Sequence, residues 1–157
     1  ISIDIGIIFR NLITDMAVTL PVGSVSKQAQ KLIVTAREAL DEGIRVAVSK
    51  NTIGDIGNAV QTRVHKGGFK VLKDLTGHGV GFELHEDPYV YNFGRPRTGL
   101  VLEPGLVIAI EPIIAERTEY IIQRPDESFA TADNSLAAHF EHSIAITENG
   151  PLILTDL

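Results

Sequence analysis

The 157-residue sequence contains no cysteine and no long apolar run, and it has an excess of acidic over basic residues. The absence of cysteine excludes disulfide bonds and thiolate metal ligands, and we expect a cytoplasmic location. The densest apolar segment, residues 106–110, is far shorter than the roughly 18 residues of a membrane helix. A net charge of -6 argues against a nucleic-acid-binding surface. No signal-peptide pattern opens the sequence.

An initiator methionine is also missing: the first residue is Ile1, in a strand pattern that is already under way. We therefore expect a fragment, or a chain from which an earlier segment was removed. The chain is nevertheless long enough to form one globular domain with its own core.

A β-hairpin is predicted at the start of the chain. Isoleucine at every odd position of residues 1–7 is typical of a half-buried strand, with Asp4 on the other face. A second strand covers residues 15–20, where Asp15 faces away from the apolar side. The turn falls at residues 10–11 or one residue earlier, and both registers place the two aspartates on one face, about 5–8 Å apart.

Two helices and several further strands are predicted after the hairpin. Apolar residues at three- and four-residue spacing indicate a helix from about Ser26 to Ile44, capped by Ser24 or Ser26. A second helix begins after Thr52 as N-cap and ends at Gly67. Both are expected to cover a sheet whose remaining strands lie at residues 69–75, 106–111, 120–122, 138–146 and 152–154.

Two histidines lie among three glycines in the segment Thr76–Pro88. Glycine lets the backbone approach a bulky or charged group, and small neighbours leave the imidazole of His78 accessible as a ligand or an acid–base group. A glycine-rich loop with two surface histidines, His78 and His85, is the competing interpretation.

Four carboxylates are predicted on the non-core faces of separate strands: Asp4, Asp15, Glu111 and Glu141. Small residues flank them, which favours a pocket over a solvated face. The flanking residues are Gly6, Ala17, Ala109, Ser143 and Ala145.

If these carboxylates and His78 converge, their charge requires compensation, because burying even one unpaired ion costs several kcal/mol. Two divalent cations would balance four negative charges, and the oxygen-rich ligand set suits Co, Mn, Fe or Zn. Such a pair activates water near neutral pH, and His85 could donate a hydrogen bond to the oxyanion of a carbonyl under attack. Amide or ester hydrolysis is the chemistry expected.

Several motifs occur in one order across nearly all of the chain: Ile3-Asp4-Ile5-Gly6, Asp15, Gly77-His78-Gly79-Val80-Gly81, Leu84-His85-Glu86-Asp87-Pro88, Ile110-Glu111-Pro112, His139-Phe140-Glu141-His142-Ser143 and Thr147-Glu148-Asn149-Gly150. Together they resemble the type I methionine aminopeptidases. The resemblance implies an α/β (α+β) pita-bread fold, with residues 1–157 as a single catalytic domain that forms the larger, C-terminal part of the fold. It also implies that the earlier part of the family's chain, which supplies another active-site histidine and most of the methionine pocket, is missing here.

The same resemblance implies roles for individual residues. Glu111 would handle the proton of the attacking water, and His85 would stabilise the tetrahedral intermediate. Leu84 matches a pocket phenylalanine of the family, and Phe129 lies near the position of a family tryptophan, so these two and His85 are expected to contact substrate. The metal ligands would be Asp4, Asp15, His78, Glu111 and Glu141, with Asp15 and Glu141 bridging both ions.

The resemblance further implies that the substrate is the N-terminus of a nascent peptide, that the protein is a monomer, and that it could act at the ribosome. A type II methionine aminopeptidase is disfavoured because the segment between Glu111 and Glu141 has no room for that family's long insertion. An Xaa-Pro aminopeptidase or prolidase of the same fold stays open, although the motif Phe140–Ser143 disfavours it. A non-catalytic binding fragment stays open as well, although the intact ligand set disfavours it.

Overall fold

The computed structural model describes residues 1–156, in which two helices cover a curved antiparallel sheet. The helices are α1 (Lys27–Val46) and α2 (Ile53–Lys66). The strands are β1 (Ser2–Phe9), β2 (Leu12–Thr19), β3 (Lys70–Val71), β4 (Gly77–Gly79), β5 (Glu86–Val90), β6 (Val107–Ile110), β7 (Ile113–Ala115), β8 (Ile121–Gln123), β9 (Phe129–Thr131), β10 (Ala137–His139), β11 (Glu141–Thr147) and β12 (Gly150–Ile153).

The main sheet has seven strands in the order β1-β2-β11-β6-β4-β5, with β12 also paired to β11. Side chains alternate across β6 and β11, so Ile108 and Ile144 join the core with the apolar faces of α1 and α2. Glu141 and the residue after β6, Glu111, belong to the alternate set on these two strands. A three-stranded sheet, β10-β7-β3, and a hairpin of β8 and β9 complete the fold of the described residues.

The initial hairpin turns at Arg10 and Asn11, whose φ angles are 50° and 64°. Positive φ at both central residues matches the right-handed twist of the flanking strands, and asparagine tolerates this conformation well. The first of the two predicted registers is therefore confirmed, with Asp4 opposite Ala17 and Asp15 opposite Gly6.

The predicted half-burial of β1 is wrong, because all eight of its residues are exposed. The strand lies at the edge of the main sheet, while the helices pack on central strands. The two faces of β2 also depart from expectation. Its supposed outer face, with Asp15, Ala17 and Thr19, is the buried one, whereas its apolar face contacts the core through a half-buried Val18.

Both helices begin and end close to their predicted limits. The Ser26 side chain accepts a hydrogen bond from the Ala29 amide at the start of α1. Thr52 caps α2 in a reciprocal arrangement with Asp55, and Gly67 ends it. These caps satisfy amide groups that have no partner within the helix.

The predictions for the glycine-histidine segment and the strand before it are wrong in part. The strand expected over residues 69–75 is limited to β3, and the segment interpreted as a loop contains β4, which pairs with β5 and β6 inside the main sheet. Glycine is required in β4 because a Cβ at Gly77 would overlap the carbonyl oxygen of Ala109, and one at Gly79 would overlap that of Asp87.

The single strand expected over residues 138–146 is two strands in different sheets. β10 pairs with β7, whereas β11 pairs with β2, β6 and β12. The chain passes from one sheet to the next at Phe140, which lies outside both strands.

Candidate metal centre

Neighbouring strands of the main sheet each contribute one ionisable residue to a single cluster. Asp4 lies on β1, Asp15 on β2, Glu141 at the start of β11 and His78 on β4, while Glu111 directly follows β6. Strands β1, β2, β11, β6 and β4 are consecutive in the sheet, so residues that are far apart in sequence become neighbours.

The ligand atoms form two groups that share Glu141. Asp15, His78 and Glu141 form one group and Asp4, His139 and Glu141 the second, with the candidate ligand atoms in each group within 4.8 Å of one another. Glu111 lies beside both groups: its Oε1 is 3.4 Å from His78 Nε2, and its Oε2 is 3.4 Å from His139 Nε2.

The orientation of the His78 ring leaves one nitrogen free for a ligand. Its Nδ1 lies 2.9 Å from the carbonyl oxygen of Gly79. A carbonyl can only accept, so Nδ1 donates to it, and Nε2 is the nitrogen that faces Glu111 and Glu141, whose Oε1 is 4.0 Å away.

The electrostatics of the cluster favour binding of a cation. Burial, followed by the charges of Glu111, Asp15 and Asp4, raises the pKa of Glu141 to about 9. Burial and the charge of Asp4 also raise the pKa of Asp15. Oδ1 of Asp15 and Oε1 of Glu141 are buried without a hydrogen-bond partner, which is unusual for carboxylate oxygens. Oxygen and imidazole donors that lack protein partners fit a divalent metal.

Hydrogen bonds between strands hold the ligands in place. The Ser143 hydroxyl accepts from the Asp15 amide at 2.8 Å and donates to the Asp15 carbonyl at 2.9 Å, which links β11 to β2. Asn92 donates to the Glu111 carbonyl at 2.9 Å. Buried bonds of this kind fix the backbone under the carboxylates.

Two of the three residues expected to contact substrate lie near the cluster. The centroids of the His85 and His78 rings are 4.4 Å apart, in an edge-to-face arrangement. Both residues line an open cavity of about 610 Å³. Leu84 lies against β1, since its Cδ1 is 3.0 Å from the position that a Cβ on Gly6 would take. Phe129 instead lines a separate cavity with Leu72, so its contact with substrate stays a prediction.

The sequence interpretation did not assign a role to His139, although the structure places it in the cluster. Its Nε2 is 3.4 Å from Glu111 Oε2 and 3.9 Å from Glu141 Oε2, and its Nδ1 is 3.9 Å from Asp4 Oδ2. The available signal was its spacing of two residues from Glu141, which places both side chains on the same side of an extended chain.

Residues 1–148 match the family described as metallopeptidase family M24. The chain belongs to this family. M24 metallopeptidases use divalent metal, which agrees with the ligand groups described above.

Proteins similar to this chain include the methionine aminopeptidase of Clostridium acetobutylicum, 43% identical over 99% of this chain, and methionine aminopeptidase 1 of Bacillus subtilis, 42% identical over 99%. The chain spans 62% and 63% of the lengths of these two proteins. It therefore corresponds to part of each relative.

Similar solved structures confirm the expected pita-bread fold. The methionine aminopeptidase of Thermotoga maritima superposes with a TM-score of 0.97 at 41% identity, over 99% of this chain and 63% of that protein. The prolidase of Pyrococcus furiosus superposes less closely, with a TM-score of 0.76 at 26% identity over 41% of its length. In the part of the chain that the structure describes, neither helix is long and apolar enough to cross a membrane.

Proposed function

We propose that this chain forms the catalytic domain of a methionine aminopeptidase that removes the N-terminal methionine of nascent polypeptides in the cytoplasm. The observation that carries the proposal is the pair of ligand groups that share Glu141, in a chain 43% identical to a protein named methionine aminopeptidase. Residues 1–157 would act as one domain and as a monomer, and the substrate would be a peptide N-terminus, including one that emerges from the ribosome.

The proposed cofactor is a pair of divalent ions, Co, Mn, Fe or Zn. Asp15, His78 and Glu141 would hold one ion, and Asp4 and Glu141 the second. Glu111, which lies beside both groups, would be a further metal ligand. Asp15, which lies diagonally across the hairpin from Asp4, would bridge together with Glu141. When bound, the ions act as Lewis acids that favour the ionisation of water and polarise the scissile carbonyl.

The protein's own residues would move the proton and stabilise the charge. Glu111, whose two oxygens face His78 and His139, would take a proton from the attacking water and deliver it to the leaving amine. His85, whose ring contacts that of His78 at the wall of the open cavity, would donate a hydrogen bond to the oxyanion of the scissile carbonyl. Leu84 would contact the methionine side chain, and Phe129, which lines a separate cavity with Leu72, would be a further substrate contact.

The test is metal-dependent release of methionine from the peptide Met-Ala-Ser. We expect release with added divalent metal, none after exhaustive chelation, and recovery when metal is returned. Glu111→Gln should lower kcat by about a hundredfold or more while the protein still binds metal, because a general base contributes about that much. Full activity in the chelated protein would contradict the proposal.

Two competing functions give different outcomes in the same assay. Cleavage of Ala-Pro-Ser in preference to Met-Ala-Ser would favour an Xaa-Pro aminopeptidase or prolidase of the same fold; the prolidase of Pyrococcus furiosus is 26% identical to this chain. Binding of two ions without turnover of either peptide would favour a non-catalytic binding module.

A further inference from the structure

His139 lies in the cluster, with its Nε2 3.4 Å from Oε2 of Glu111. It ends β10, two residues before Glu141, and its backbone is fixed from β2: the Thr19 hydroxyl accepts from the His139 amide at 2.9 Å and donates to the His139 carbonyl at 2.8 Å. These bonds fix the backbone from which the imidazole extends toward the carboxylates.

The His139 imidazole has a buried nitrogen with no hydrogen-bond partner. Nε2 is removed from solvent and makes no hydrogen bond, even though carboxylates of Glu111 and Glu141 lie 3.4 and 3.9 Å away. These separations exceed those of a charge-assisted hydrogen bond, which are about 2.7–2.9 Å. An imidazolium paired with these acids would be expected to approach them more closely.

The same separations suit two atoms bound to one ion. Two ligand atoms each about 2.1 Å from a metal lie about 3.0–4.2 Å apart, depending on the angle at the ion. His139 and Glu141 meet this condition at 3.9 Å, and with Asp4 they form a group whose candidate ligand atoms lie within 4.8 Å of one another, as do those of Asp15, His78 and Glu141. The cluster therefore contains two neighbouring ligand groups, and each group includes one imidazole.

We propose that His139 is a metal ligand, so that each of the two ions is bound by one imidazole: the first by His78 and the second by His139. This rests on the metal centre of the proposed function but not on the peptidase activity. The ligand atom is the unpartnered Nε2. An added imidazole makes the donor set around the second ion softer and gives it one more bond than acids alone provide.

Calorimetric titration of the chelated protein with cobalt(II) tests the proposal. We expect two ions in the parent chain, and in His139→Gln one ion of unchanged affinity and a second bound about tenfold or more weakly. His65→Gln is the matched control, because His65 is exposed at the end of α2. A His139→Gln protein that binds both ions as the parent does overturns the role of His139 and leaves the metal centre intact.

A measurement on the unsubstituted protein keeps the proposal testable even if His139→Gln folds poorly. In the proton NMR spectrum of the cobalt(II)-loaded chain, each coordinated imidazole contributes a strongly shifted N–H signal, and we expect two. One such signal with two ions bound overturns the proposal for His139 alone. A parent chain that binds no ion overturns the metal centre and the role of His139 together.

Discussion

At the scale of single residues, Glu141 governs how the cluster responds to protons. It belongs to both ligand groups and is 2% exposed, and burial followed by three neighbouring acids raises its pKa to about 9. At neutral pH without metal, this carboxyl is therefore protonated. Because a metal ligand must be deprotonated, binding of an ion has to displace that proton.

We predict that metal binding at pH 7 releases about one proton from Glu141. Titration calorimetry in two buffers of different ionisation enthalpy measures the number released. The release should diminish as the pH rises through about 9, where the carboxyl is already ionised. A proton count of zero at pH 7 would contradict the raised pKa, and Glu141→Gln should bind metal too weakly to release any.

The same shift makes the stability of the metal-free protein depend on pH. The folded pKa is raised above the ordinary value of 4.5, so the folded state retains a proton that the unfolded state loses. This contribution is complete below the unfolded pKa and is lost as the pH rises toward 9. We expect chelated Glu141→Gln to show a weaker decline in the free energy of unfolding over that interval than the chelated parent.

Ser143 makes a separate contribution through the backbone of Asp15. Its buried hydroxyl is bonded to both the amide and the carbonyl of Asp15, so Ser143→Ala leaves both groups without a partner. We predict a loss of about 1–3 kcal/mol in the free energy of unfolding, measured by urea denaturation. Ser128→Ala, at an exposed turn, serves as the control and should change stability by less than about 0.5 kcal/mol.

The carboxylates of the cluster could be predicted from the sequence more fully than His139 could. Each carboxylate belongs to a segment in which apolar and other residues alternate. This period of two predicts the face of the strand on which the carboxylate lies. His139 has the same period as Glu141, but the pattern does not show that its nitrogen would be buried without a partner. The hydrogen bonds that fix its backbone come from Thr19, which is 120 positions away in sequence.

At the scale of elements, α2 illustrates how tertiary packing overrides local propensity. Gly57 is fully inside the helix, yet a Cβ there would lie 2.5 Å from the Phe93 carbonyl oxygen and 2.6 Å from that of Tyr91. The neighbouring backbone segment cannot yield as a flexible side chain would. Close approach of that segment to α2 therefore depends on glycine.

We predict that Gly57→Ala destabilises the protein by about 1–3 kcal/mol, as expected for overpacking. Helix propensity alone predicts the opposite, a gain of about 1 kcal/mol. Thermal unfolding distinguishes the two. Thr62→Ala, at an exposed position of the same helix, is the control in which only propensity acts, and it should be neutral or slightly stabilising.

Elements with local signals were predictable, whereas those set by distant partners were not. The turn at Asn11 and the cap at Thr52 are determined by residues within a few positions, and both occur as predicted. β4 is a strand despite its glycines, because the carbonyls that approach it belong to Ala109 and Asp87. The split between β10 and β11 is likewise determined by partners in two different sheets.

At the scale of the whole molecule, the two ligand groups differ in their access to solvent. Asp15, His78 and Glu141 are all buried, whereas Asp4 is exposed and His139 is half-buried. Ligands that are held rigidly lose less freedom when an ion binds. The buried group should therefore bind the first ion and release it last.

We predict that stepwise addition of cobalt(II) to the chelated protein gives two separate binding events. Asp4→Asn should weaken the second event and leave the first unchanged, whereas Asp15→Asn, at a proposed bridging ligand, should weaken both. An ion in hundredfold excess over its dissociation constant adds about 2.7 kcal/mol to stability, so the melting temperature reports each step independently of activity. A single event lost equally in both variants would contradict the order of binding.

The exposed strand β1 also affects what unfolding can reveal about this chain. Its isoleucines are in water before the protein unfolds, so denaturation uncovers less new apolar surface than a chain of this length ordinarily would. The slope of stability against urea concentration and the heat-capacity increment should both be small for 157 residues. Asp4, which belongs to the second ligand group, therefore lies on a strand whose detachment from the sheet would expose little additional apolar surface.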